Sequence, residues 1–272
     1  MTLEIGVVLG TSALMAIALV AQALGLSGAF GRRRWPALLV ITRVAAAAVL
    51  AAALILFTIG EGGWTPFDLR HLTLGLALAA LTIHLAVAWG CHTDGAGPAI
   101  DLVILVLSLL AVGVRAREAP PPCLQPGLLF LAPWGLWVVG AGGAVVAGSA
   151  GLMLLLRGFW AKIGWDRQLP PRANVGAFLR QATIVTLAAL GFGIAVGSWL
   201  AWKNVGAPTG GDPRFAWMAI TWLVTAMSLL AWRLRQRPGR QGLWAAILAI
   251  SAASTAILGT LAITGIARVL GA

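Results

Sequence analysis

Residues 127–156 read GLLFLAPWGLWVVGAGGAVVAGSAGLMLLL, a run without one charged side chain. A span of hydrocarbon needs about 20 apolar residues in helical form. This run exceeds that length, so it reads as a membrane helix long enough to tilt or to project beyond the lipid. Inside it Gly140, Ala144 and Gly148 recur every fourth residue. Small residues at that spacing let helix backbones approach closely. Gly193 and Gly197 repeat the spacing further on.

The rest of the chain follows the same pattern. Apolar blocks lie near 3–26, 37–60, 71–90, 99–114, 175–202, 214–233 and 242–268, separated by short polar punctuation. The fourth block, 99–114, is the shortest. The first has no basic stretch before it and no cleavage pattern after it, and reads as a helix rather than a signal peptide. The predicted fold is all-α: a polytopic transmembrane bundle of about eight helices. It divides into residues 1–125 and 126–272, four helices each. Composition agrees. Of 272 residues 60% are hydrophobic and 10% charged, with mean hydropathy +0.94. A soluble domain carries about a quarter charged residues.

The net charge of +11 does not mark a nucleic-acid binder. The basic residues sit in loops between apolar blocks, where they report topology. Arg32–Arg34, the set Arg157, Lys162, Arg167 and Arg172, and the set Arg233, Arg235, Arg237 and Arg240 fall on one side. Arg70, Arg115, Arg117, Lys203, Arg214 and Arg268 fall on the other, and are fewer. The positive-inside bias places the richer side in the cytoplasm, with both chain ends outside. The expected location is the plasma membrane, and the first partner is the lipid bilayer. Cys91 and Cys123 then lie on opposite sides, so no disulfide between them is expected. No Cys/His spacing for a metal occurs.

Polar groups inside a membrane are costly and need a partner or a purpose. Arg43 lies in the second helix, His84 in the third, and Asp101 just inside the fourth, all toward the cytoplasmic side. Two readings stand. Arg43 snorkels to the headgroups while Asp101 caps its helix, or the two pair, with His84 near, as a ligand or proton site. His71 and His84 are separated by about 20 Å of helical rise. They cannot hold one metal together, but each could give an axial ligand to a separate haem.

The segment Gly197–Leu223, GSWLAWKNVGAPTGGDPRFAWMAITWL, holds the densest aromatic set. Trp199 and Trp202 close the sixth helix. Asp212 and Pro213 start the next, as N-cap and first-turn residue. Trp217 and Trp222 follow on that helix. Indoles around an outer loop read either as an interfacial belt or as a platform for a flat hydrophobic ligand.

This segment resembles the tryptophan-rich signature of the cytochrome c assembly family of haem-handling membrane proteins. Gly197, Ala201, Gly206, Asp212, Pro213, Trp217, Trp222 and Leu223 fall on the family pattern, and Arg214 stands at its lysine. Pro238–Ile250, PGRQGLWAAILAI, resembles the family's basic turn into its last helix. The likeness covers Pro126 to Leu270. It implies haem as cofactor, held or presented at the outer face, with an assembly partner in the membrane and apocytochrome c as acceptor. The candidate haem-contacting set is Trp199, Trp202, Lys203, Asp212, Arg214, Trp217 and Trp222 from this segment, with His71 and His84, which enter from their place in the third helix rather than from the family pattern. No residue in it has the character of a covalent catalyst. The family's loop tryptophans are Val205, Thr209 and Gly211 here, and its flanking histidines are not carried over. Two rival readings stay open: a transporter built on Arg43, His84 and Asp101, and an accessory subunit of a membrane complex that has lost haem.

Overall fold

The computed structural model describes residues 9–20, 35–60, 69–91, 97–113, 128–162, 171–207, 213–234 and 241–269, and nearly all of them are helical. The helices are α1 (Leu9–Val20), α2 (Trp35–Gly60), α3 (Leu69–Cys91), α4 (Gly97–Gly113), α5 (Leu128–Lys162), α6 (Arg172–Val205), α7 (Pro213–Leu234) and α8 (Gln241–Val269). The all-α expectation and the count of eight agree with this. Six of the eight are long and apolar enough to cross a membrane, while α1 as described and α4 are shorter apolar helices. At 17 residues α4 rises about 25 Å, slightly less than a bilayer core. The loops bearing Arg32–Arg34, Arg167 and Arg235–Arg240, together with Cys123 and Asp212, lie outside the described residues.

Helices dominate because lipid offers the backbone no hydrogen-bond partners, so each segment must satisfy its own. Side-chain hydroxyls follow the same rule. Thr42, Thr73, Ser108, Thr186 and Thr260 each donate to a carbonyl one turn back in their own helix. Helix ends fall where the chain chemistry puts them. Pro213 opens α7, in the first turn where its missing N–H costs nothing. Gly206 closes α6 at φ 73°, and its N–H donates to the Trp202 carbonyl, a conformation that side chains with a Cβ disfavour.

Helix α5 is the hub, packed against α3, α4, α6, α7 and α8. Its glycines face different neighbours: Gly142 meets Ala79 and Ala80 of α3, Gly140 and Gly143 meet Leu190 and Thr186 of α6, and Gly148 and Gly151 meet Ala253 and Ala246 of α8. Of the small-residue repeat read from the sequence, Gly140 thus serves the α6 interface and Gly148 the α8 interface, while the α3 interface uses Gly142, outside the repeat. The contacts also fix direction. Gly75 beside Val138 and Gly142 beside Ala80 make α3 and α5 parallel. Pro133 beside Gly197 and Leu136 beside Gly193 make α5 and α6 antiparallel. One end of the bundle, the one that the charge bias read from the sequence assigns to the outer face, therefore gathers the starts of α3, α5 and α7 and the finish of α6.

Candidate functional site

Two polar layers emerge, one toward each end. The inner layer holds Arg43 and Asp101. Arg43 Nε donates to Asp101 Oδ1 at 3.0 Å and Nη2 donates to Oδ2 at 2.8 Å. Both residues are buried, at 2% and 0% exposure. The fork of the guanidinium thus meets the carboxylate side-on, a geometry that lysine could not supply. Of the two readings left open by the sequence, pairing is the one realised. The pair ties α2 to α4 on either side of α3, which packs against both. His84, also fully buried, lies on α3 with its ring 5.5 Å from that of Phe178 on α6.

The outer layer is built around the first turn of α3. Arg70 lies with Cζ 4.8 Å from the centre of the Phe57 ring of α2, a cation–π contact. His71 is 1% exposed. The parallel register of α3 and α5 puts His71 level with Trp134, which is also buried. Across α5, the same level holds Pro133, Gly197 and Phe215: a Cβ on Gly197 would meet the ring of Phe215. The finish of α6 and the start of α7 therefore sit side by side.

The four tryptophans of that signature separate into two kinds. Trp199 and Trp202 are exposed, and Lys203 Nζ lies 5.5 Å from the Trp199 ring centre. Trp217 packs on Gly259 of α8, and Trp222 packs on Gly191 of α6 and donates from Nε1 to the Leu187 carbonyl at 3.2 Å. The first two present a surface, and the last two hold helices together. Trp222→Phe is accordingly expected to cost about 1 kcal/mol, the worth of one hydrogen bond, measured by unfolding in mixed detergent. Asp212 and the Arg214 side chain lie outside the described residues.

His71 and His84 stay in separate layers, as their spacing demands. Among the described residues no three His, Cys, Asp or Glu side chains gather into a metal site. Sequence reading did not single out Arg70 and Trp134 as neighbours of His71. Their signal was weak: Arg70 looked like a topological charge, and Trp134 like part of an apolar run. No family model, curated protein or solved structure matches this chain. What is established is a multi-pass membrane bundle whose apolar helix faces contact lipid.

Proposed function

We propose that this chain handles haem at the outer membrane face, in the manner of the cytochrome c assembly family, and presents it to an apocytochrome. The observation that carries the reading is the exposed pair Trp199 and Trp202, with Lys203 beside it, at the outer finish of α6. Indole faces suit a porphyrin plane, and an ammonium suits a propionate. Haem would supply the iron and the cargo. The chain's own residues bind and orient it, and the buried helix contacts of Trp217 and Trp222 keep the surface in place. The fit is that of a surface mount. His71 shares the layer but is enclosed, so a docked macrocycle would reach it only if the start of α3 opened. An assembly partner in the membrane would cover the mounted group.

Haemin titration of the purified chain tests this. A Soret change is expected, with affinity lowered about tenfold or more in Trp199→Ala/Trp202→Ala, since two stacked rings at about 0.5–1.5 kcal/mol each give roughly 1–3 kcal/mol. His71→Ala is expected to alter the Soret position if the iron reaches that ring. Equal titration of wild type and the double variant would sink the reading. The enclosure of His71 favours one second reading, an accessory subunit that has the scaffold and no haem. It expects no Soret change in any variant.

A further inference from the structure

Three arginines on the inner half of α6 and α7 play no part in the outer site. Arg172, Gly176 and Arg180 recur at four-residue spacing, which stacks them along one face of α6. The middle member is where α7 comes closest: a Cβ on Gly176 would meet Cη2 and Cζ2 of Trp232. The half-buried indole therefore packs where α6 and α7 meet, at a level between the α6 positions of Arg172 and Arg180. Arg233, the next residue on α7, is exposed, as are Arg172 and Arg180. None of the three has a carboxylate partner among the described residues, whereas the buried Arg43 has one.

Depth fixes what surrounds this groove. Helix α6 has 34 residues and rises about 50 Å, well beyond a hydrocarbon core of about 30 Å. Exposed Trp199 marks its outer interface. From Trp199 to Arg180 is about 29 Å of helix, so Arg180 reaches the opposite interface and Arg172 lies among headgroups. Between them the outward face of α6 carries Ile184, Ala188 and Phe192, all exposed and apolar enough to lie along acyl chains.

We propose that the groove formed by Arg172, Arg180, Trp232 and Arg233 is a binding site for an anionic phospholipid of the inner leaflet. The guanidinium forks take the phosphate oxygens, the indole sits at the glycerol level, and the acyl chains run along Ile184 and Phe192. A zwitterionic lipid places its own cation near the same arginines and is disfavoured. Basic grooves between membrane helices on the cytoplasmic side select acidic headgroups for this reason.

The test uses the full chain, purified in neutral detergent and titrated with phosphatidylglycerol or phosphatidylcholine, with bound lipid counted by native mass spectrometry. Phosphatidylglycerol should be retained about tenfold better. Arg180→Gln/Arg233→Gln should remove most of that preference, since two of the three positive forks that favour an acidic headgroup are lost. Lys203→Gln, at the other end of α6, should leave it intact. Arg180→Lys keeps the charge without the fork and should fall between, which separates a site from a misfolded variant. Equal retention of the two lipids, or an unchanged preference in the double glutamine variant, overturns the proposal. Displacement of the lipid by inorganic phosphate at equal concentration also overturns it, and would mean a site for a soluble anion.

Discussion

Asp101→Ala is expected to destabilise the bundle by about 3–5 kcal/mol, the cost of stranding one partner of a buried ion pair. Arg43 is 2% exposed and holds Asp101 through Nε and Nη2. A guanidinium does not give up its proton under any condition the protein meets. With the carboxylate gone it must stay charged in the bundle or drag α2 toward the headgroups. Removing both charges is a different experiment. Arg43→Met/Asp101→Leu replaces the pair by apolar side chains, and such replacements are neutral or stabilising in other proteins. The double variant is therefore expected to unfold within about 1 kcal/mol of wild type. The measurement is unfolding in mixed detergent followed by tryptophan emission, completed as a double-mutant cycle. Salt should leave the coupling unchanged, because the pair is shielded from counterions. A cost below about 1 kcal/mol for Asp101→Ala would mean that the pair does not hold α2 to α4. If the transporter reading were right, the double variant would keep its fold and lose transport. If the pair is a staple, the variant keeps everything.

That pair also shows where sequence reading stopped. Arg43 and Asp101 were visible as intramembrane charges, since nothing else so polar lies in blocks two and four. Pairing and independent snorkelling leave the same trace in the sequence, because the partners are 58 residues apart. Which helices flank α3 decides between them, and that is a tertiary fact. Helix limits were far more legible. The expected block 37–60 became Trp35–Gly60, and 242–268 became Gln241–Val269, because hydrocarbon thickness and backbone satisfaction leave little freedom. The expected limits were too short at the finish of α5 and at both ends of α6. Both helices run on past the apolar run into charged residues such as Arg157 and Arg172, which a hydropathy reading treats as loop.

The aromatic signature divides in the same way. Four tryptophans at the outer loop were read as one set. Packing divides them, because Gly191 and Gly259 leave room for Trp222 and Trp217, while Trp199 and Trp202 stay exposed. The glycines were countable in the sequence, but their partners lie on other helices. Arg180 was hidden for the opposite reason: it falls inside an apolar block, and only its spacing from Gly176 and Arg172 could have marked it.

The second large effect is expected at Gly142, where the two halves of the chain meet. A Cβ there would lie 2.8 Å from the Ala80 nitrogen and 2.9 Å from the Ala79 Cβ. Neither neighbour is a flexible side-chain tip, so the clash must be relieved by moving α3 away from α5. Overpacking of this kind costs about 1–3 kcal/mol for one added group. Gly142→Ala is expected in that range, and Gly142→Leu beyond what the interface can absorb. Gly135, on the same helix, has no heavy atom within 4 Å of its Cβ position. Gly135→Ala should be neutral or stabilise slightly, because alanine favours the helix by up to about 1 kcal/mol. This contrast removes any general effect of alanine in α5. Size-exclusion chromatography and unfolding in mixed detergent read the outcome. The α5–α6 and α5–α8 contacts use other glycines, Gly140, Gly143, Gly148 and Gly151. Gly142→Leu should therefore loosen α3 from α5 while residues 126–272 stay packed, exposing the α3–α4 side to protease first. Equal stability of Gly142→Leu and Gly135→Ala would mean that α3 does not rest on α5 through this contact, and the outer layer would lose the register that sets His71 level with Trp134.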